Sequence, residues 1–357
     1  MRTRQFRYLA VLTAALVIEL GPLPTAHANT QHTVHPGESI QAAVDAAKPG
    51  DTILVEAGTY RENVLITTSG LTLRGAGETT VIQPPEQAGT NACAMAQTGI
   101  CVTGTAEQPV TGVRIRSLKV TGFAKDGIWG KHTDQMDVRT VTAEQNGRQG
   151  IGQEKSTRGV FRSNTSKDNG QSGIFIANTV DEEGAAIDTK GAVIRGNRLT
   201  GNRVGVGIRR VRVLTVESNT LTGNCGGVFV VGDEGTPRAG DLSIVGNQVY
   251  ENNKYCPPNP RLDFIQGTGI LLTGVEEVRI TGNTVRDNAG TSPMSGGIVL
   301  FPSAVGAKNS GNAIKDNLMA NNQPADIADR DAGPGNTFEG NTCTVSEPVG
   351  HCAKEAS

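Results

Sequence analysis

Aromatic residues are scarce, at 4% of the 357-residue chain, with one Trp, four Tyr and eight Phe. That is little material for a long aromatic-lined polysaccharide platform, and it keeps more than one ligand class open. Charge of one sign is not in excess either. Thirty-three basic residues against 35 acidic ones give a formal net charge of -2 and a pI near 6.2. Nothing there calls for nucleic acid or an anionic membrane as partner. None of the five His stands in HExxH spacing and none of the six Cys in CxxC spacing, so no zinc or other metal site is indicated. No Pro/Ser-rich linker interrupts the middle of the chain, which argues for one domain spanning 29–357.

Apolar runs are confined to the start. Arg2, Arg4 and Arg7 precede a mostly apolar stretch over 8–20, and Ala26-His27-Ala28 has the small-x-small form of a signal-peptidase site. The run is well short of the ~20 residues a spanning helix needs. Residues 1–28 therefore read as a Sec-type signal peptide cleaved near Ala28, leaving a secreted monomer without a membrane anchor. Six cysteines in such a chain suggest three disulfides, whose pairing sequence alone does not fix. Proximity favours Cys93 with Cys101 and Cys343 with Cys352, leaving Cys225 with Cys256.

Glycine, by contrast, is abundant at 46 residues, and much of it sits in one returning hexamer. It reads Asp126-Gly127-Ile128-Trp129-Gly130-Lys131, Gln149-Gly150-Ile151-Gly152-Gln153-Glu154 and Ser172-Gly173-Ile174-Phe175-Ile176-Ala177. It returns as Val204-Gly205-Val206-Gly207-Ile208-Arg209, Gly226-Gly227-Val228-Phe229-Val230-Val231, Thr268-Gly269-Ile270-Leu271-Leu272-Thr273 and Gly296-Gly297-Ile298-Val299-Leu300-Phe301. Strand-like units repeating at 20–50 residues are the mark of a solenoid. A second strand in each turn precedes an Asn, in a series at Asn197, Asn219, Asn247, Asn283 and Asn312 spaced 22, 28, 36 and 29 residues apart. A further series, Asn169, Asn202, Asn224, Asn252, Asn288 and Asn317, marks the next corner. Asn tolerates left-handed backbone, and stacked Asn side chains can hydrogen-bond along a ladder. The longer turns carry insertions at 181–190, 233–240, 254–266 and 289–295. The first two should project from one flank and the third from the opposite edge, where a Cys225–Cys256 bridge would pin it.

Ahead of the repeats, 39–48 places Ile40, Ala43, Val44 and Ala47 on one helical face, and Pro49-Gly50 stops it. Residues 51–56 then read as a strand, Ala57-Gly58-Thr59-Tyr60 as a turn and 61–66 as another strand. This stretch, Ser39-Ile40-Gln41-Ala42-Ala43-Val44-Asp45-Ala46-Ala47 with Pro49-Gly50-Asp51-Thr52-Ile53 and Ala57-Gly58-Thr59-Tyr60, resembles the N-terminal cap and first coil of right-handed parallel β-helix proteins, the pectin-lyase-like superfamily. The resemblance covers nearly all of the mature chain. It implies an all-β, single-stranded right-handed parallel β-helix with an N-terminal capping helix and disulfide-pinned loops. Residues 29–60 would form the cap and first coil, 61–341 the coils and 342–357 the C-terminal cap. Chemistry does not follow from that fold. The superfamily includes polysaccharide lyases and epimerases, yet the Asp-Pro-His-Asp of alginate epimerases, the polygalacturonase motif set and the pectate-lyase calcium cluster are all missing.

Strand alternation sorts each hexamer into two faces. Ile128, Ile151, Ile174, Val206, Val228, Ile270 and Ile298 should stack inward. Outward, Trp129, Phe175 and Phe229 should stand at roughly 10 Å intervals, since strands stack about 4.8 Å apart, with slots at Gly152 and Gly207. Beside them fall Lys131, Glu154 and Arg209, with His132, Asp134, Lys155, Arg158 and Arg210 close behind. As a groove, this stripe would stack sugar rings on Trp129, Phe175 and Phe229. Arg209 would hold a uronate carboxylate, Lys131 or His132 would take the C5 proton and Glu154 would tune the base. Asp134, Lys155, Arg158 and Arg210 would add binding contacts. The product would be that of a lyase or C5-epimerase acting on an extracellular, acidic glycan. Two other readings stand beside it: a non-catalytic glycan-binding or surface protein, and an enzyme shaping an apolar small molecule. In the plainest alternative the insertions at 181–190 and 233–240 cover the stripe, and Lys131–Glu154 is a cross-strand ion pair. No cofactor is expected. The acidic run Asp181-Glu182-Glu183 stands alone in its loop, a solvated turn rather than a calcium site.

Overall fold

The computed structural model describes residues 29–353 apart from 181, 183 and 261. The expected signal peptide and the last residues of the expected C-terminal cap lie outside them. Each coil contributes one strand to each of three sheets, as Ile128–Lys131, Asp137–Arg139 and Thr142–Glu144 do before the path returns at Ile151–Glu154. The ladders between successive coils are parallel and in register. The hexamer strands make the first sheet, of 11 strands, and the other two have 12 and 10. The all-β solenoid is thus the right-handed parallel β-helix expected, with its capping helix and disulfide-pinned loops.

A strand of three residues buries one side chain, so the core is assembled one residue per strand. In the second sheet Val138, Phe161, Ile194, Val216 and Ile244 follow one another in register, all fully buried. In the first, Ile128, Ile151, Ile174, Val206, Val228, Ile270 and Ile298 form the aliphatic column the sequence predicts. Each such side chain stabilises the fold by about 1.5–3 kcal/mol, but only if the coils above and below are present to bury it.

Sequence reading finds two strands per turn, and the structure has three. The unseen strands, such as Thr165–Lys167 and Thr220–Thr222, fill the five-residue step between the two corner asparagines. They are too short to show alternation. Two further expectations shift. The segment read as a turn at 57–60 is the strand Gly58–Arg61, paired with Thr80–Gln83. The helix is limited to Ile40–Ala46. Its free N–H groups at Ile40 and Gln41 donate to the Glu62 carboxylate, at 2.7 and 2.9 Å, and Ser39 Oγ accepts from Ala42. Buried Ile40 and Val44 close the open end of the core.

The asparagines do form ladders, with one slip in the expected series. Asn283 Nδ2 donates to Asn317 Oδ1 at 3.0 Å, so Asn317 and not Asn312 continues the first ladder, and Asn322 continues the second from Asn288 at 2.9 Å. Asn312 belongs to another corner, bonded to Asn336 at 2.9 Å. The conformational reason also changes. Left-handed backbone falls on the residue before each Asn, as at Ser163, Gly196, Ser218 and Gly246. The Asn itself is there for its amide. Asn197, for instance, donates from Nδ2 to Phe161 O and Asn219 Oδ1, both at 2.9 Å.

The three disulfides pair as proximity suggests. Cys93–Cys101 anchors the short helix Ala92–Met95, and Cys343–Cys352 ties down the C-terminal strap. There Ser346–Glu347 pairs with Ile327–Asp329 and covers the last edge of the first sheet.

Candidate functional site

In-register stacking turns the outward positions of the first sheet into columns. One runs Cys101, Trp129, Gly152, Phe175, Gly207, Phe229, Leu271, Val299. The next, toward the second sheet, runs Lys131, Glu154, Ala177, Arg209, Val231. The hexamer register read from sequence is therefore the one present, but the surface it makes is different.

The aromatic rings do not stand as ridges. Trp129 and Phe175 lie 6.3 Å apart between centroids with planes 19° from parallel, well inside the roughly 10 Å expected from two strand spacings. Each ring leans over the glycine of the following coil. A Cβ at Gly152 would lie 2.5 Å from Trp129 Cζ3, and one at Gly207 2.8 Å from Phe175 Cδ2. The glycines are occupied floor, not open slots. Gly152→Ala is accordingly expected to push the Trp129 ring off the sheet. It should cost about 1–3 kcal/mol from overpacking and shift the emission of the sole Trp. An unchanged spectrum and urea midpoint would show that the ring has room.

Phe229 was expected in the open stripe, and the structure corrects this. It is 3% exposed, and Leu271 and Val299 below it are at 1% and 0%. They pack with Cys225, Cys256, Ile265 and Met294 in a second apolar cluster outside the main core. The cover comes from the insertions at 254–266, pinned by Cys225–Cys256, and 289–295, rather than from 181–190 and 233–240. The stripe is thus open only over Trp129 and Phe175, both half-buried.

The charged residues divide into those at the edge of this floor and those committed elsewhere. Lys131 Nζ is 3.9 Å from Glu154 Oε2, with 44% of its side chain exposed. His132 follows in left-handed backbone, its N–H donating to Glu154 O at 3.2 Å. Burial, then the charges of Lys131 and Lys155, lower the pKa of its imidazole below the ordinary value. Arg209 Nη1 donates to Val180 O at 2.6 Å, tying the strand end to the loop after Phe175 rather than reaching over the floor. Asp134 and Arg158 form a two-point pair, with Thr157 Oγ1 also donating to Asp134 at 2.7 Å, and Arg158 holds the Asp134 carboxyl below its usual range. They brace the corner beyond the sheet edge. Lys155 pairs with exposed Glu182 at 3.2 Å, while Asp181 and Glu183 lie outside the described residues. Arg210, expected to contact a ligand, is instead a buried staple: its side chain is 5% exposed and bonded to Asp233, Thr179 and Glu182 O. Only there can its charge be matched away from water.

Sequence reading missed Asp126. Among the lead residues of the seven hexamers it is the one carboxylate, and that position stays on the floor's opposite edge: Val204, at the same position, belongs to the outer cluster. Asp126 is 5% exposed and accepts from Gln149 N at 3.0 Å. Burial raises its carboxyl pKa above the ordinary value, against the pull of Arg148 at 3.9 Å. Among the described residues no three His, Cys, Asp or Glu side chains converge as metal ligands. Two hollows of about 260 and 300 Å³ lie against the N-terminal helix, lined by residues such as Gln41, Arg61 and Glu62, two strands along the first sheet from the Trp129 strand.

No curated protein matches the chain by sequence. Solved structures do match. The A-module of the Azotobacter vinelandii mannuronan C-5 epimerase AlgE6 superposes with a TM-score of 0.60 at 19% identity, over 88% of this chain and 90% of that one. A variant of the periplasmic alginate epimerase AlgG gives 0.58 at 14% identity, over 82% and 71%. The Dettilon tailspike protein gives 0.53 at 15%, over 89% and 59%. At such identities the likeness is one of fold. The family described as right handed beta helix region matches residues 63–249 and 178–303. With the three-sheet solenoid it leaves one assignment: the chain belongs to the right-handed β-helix family.

Proposed function

We propose that the open half of the first sheet binds an acidic polysaccharide outside the cytoplasm and moves the C5 proton of a uronate residue. The observation that carries this is the Trp129–Phe175 floor, open at one end and closed at Phe229, with ionisable groups on both edges. Aromatic faces laid flat suit the apolar face of a pyranose ring. The superposition on two alginate epimerases supports the substrate class. Three disulfides fit an oxidising compartment, and so a secreted protein.

In this reading Lys131 faces the uronate carboxylate and stabilises the charge that spreads into it when the C5–H bond breaks. His132, kept neutral by burial and by its two lysine neighbours, accepts the proton on its free ring nitrogen. Glu154 holds Lys131 in place. Asp126, protonated more readily than an ordinary carboxyl, stands on the other edge. It returns a proton either to C5 from the opposite face, giving the epimer, or to the C4 oxygen as that bond breaks, giving an unsaturated sugar.

Both outcomes begin with the same bond. Incubating the protein in D2O with alginate and polygalacturonate should therefore place deuterium at C5, read by NMR, or produce the absorbance of the conjugated elimination product. No label and no absorbance across both polymers would sink the chemistry. Unchanged glycan binding in Trp129→Ala would remove the floor as the site.

A further inference from the structure

A second face carries a feature that neither the fold nor the proposed chemistry requires. On the outside of the second sheet, Arg74, Arg116, Arg139, Arg162 and Arg195 occupy the same position on five successive coils. Strands are about 4.8 Å apart, so this is a single file of guanidinium groups with one charge per strand. The adjacent outward column adds Arg114 and only one acid, Asp137.

Like charges directly opposite one another on neighbouring strands are destabilising, and the chain as a whole is slightly acidic, so general basicity does not explain the file. Its internal compensation is thin. Asp137 bonds Arg116 and Arg162 at 3.1 and 3.2 Å, and Glu217 lies 3.5 Å from Arg195. Arg139, set between Arg116 and Arg162, has no carboxylate within ion-pair distance among the described residues, nor has Arg74. The Arg116, Arg162 and Arg195 side chains are 26%, 34% and 58% exposed, and Arg74 is exposed outright. These groups can be reached.

We propose that this file is a binding strip for a linear acidic polysaccharide, separate from the floor of the first sheet. The shape selects the ligand. A row one residue wide with a fixed repeat matches a polymer carrying one anion per sugar, held by guanidinium–carboxylate or guanidinium–sulfate bonds. A nucleic acid strand would be expected to find aromatic faces for its bases. The outward neighbours along the row are Thr72, Arg114, Asp137, Val160 and Val193, with no ring among them. A membrane would need a plane of cations, not a file. The strip does not depend on the chemistry proposed above: it can hold a polymer whether or not the first sheet turns it over.

The test is retention of the whole protein in gels containing polygalacturonate, with neutral dextran as blank, and with single-stranded DNA and phosphatidylserine vesicles as competing probes. Arg74→Gln/Arg139→Gln/Arg195→Gln should weaken polygalacturonate binding at least ~10-fold at about 50 mM salt and flatten its salt dependence, because fewer counterions are released. The corresponding triple Lys variant, which keeps the charges, should retain most of the binding. Trp129→Ala should leave the strip's share untouched, which separates its failure from failure of the first-sheet site. Equal binding by wild type and the Gln variant would overturn the strip. So would wild-type binding that prefers DNA or vesicles.

Discussion

Replacing Asn224 by Ala is expected to cost about 4 kcal/mol of stability. Its amide, fully buried, donates to Leu199 O at 3.0 Å and Asn252 Oδ1 at 2.8 Å, while its oxygen accepts from Asn202 N at 2.9 Å and Asn202 Nδ2 at 3.1 Å. Alanine fills none of these roles. The Asn202 N–H would be left dry, an orphan that costs about 1–3 kcal/mol, and the other three bonds are worth about 0.5–1.5 kcal/mol each. The loss of Asn packing adds little beside that. Urea unfolding should show the midpoint fall with the slope unchanged. Asn202→Ala removes one of the donors that Asn224→Ala would strand, so the double variant should cost clearly less than the sum of the two singles. A single-variant loss under ~1 kcal/mol would mean that water reaches the corner and satisfies it.

The second large effect is on turnover. His132→Gln keeps a polar side chain at the corner but cannot accept a proton, and it should lower kcat about 10²–10⁴-fold with KM little changed. The pH profile gives the sign. Catalysis needs the neutral ring, and burial, then Lys131 and Lys155, lower its folded pKa below that of an ordinary imidazole. On the acid side the wild-type rate should therefore fall as the pH drops through that lowered value, while loss of the Asp126 proton sets the alkaline limb. Removing one of the depressing charges with Lys131→Gln should move the acid limb upward, toward the ordinary imidazole value, in addition to weakening the reaction. An acid limb that stays in place would exclude His132 as the base.

How far the sequence revealed this molecule depends on whether a property is periodic. The Gly-Ile/Val hexamers repeat, so their register, the inward aliphatic column and the outward order Trp129, Gly152, Phe175, Gly207 are all legible. What a side chain does after leaving its column is not periodic. The lean of Trp129 over Gly152 is a rotamer choice, and the burial of Phe229 depends on a loop of different sequence arriving from another corner. Arg209 and Arg210 show the same limit. Sequence adjacency to the stripe suggested ligand contact, but one residue reaches to Val180 O and the other turns inward to Asp233. The Asn312 slip has a different cause: an extra Asn five residues before Asn317 mimics the spacing of the two true corners. The arginine file was hidden because it lies across coils, at separations that vary with each insertion, and no stretch of the chain is visibly basic.

The ladder corners carry one more consequence. The coil from Asn197 to Asn219 closes in 22 residues, and that from Asn146 to Asn169 in 23, and the strands of each pair only with those of the coils on either side. Such a unit can be copied and spliced back with its strand pairing intact, and only side-chain contacts that skip a coil, such as Trp129 on Phe175, would have to be remade. Lineages of this protein can therefore change length in quanta of one coil, and an engineer can do the same. Because Arg162 lies within the Asn146–Asn169 segment, each duplicate would lengthen the guanidinium file by one register while leaving the disulfide-locked ends as they are.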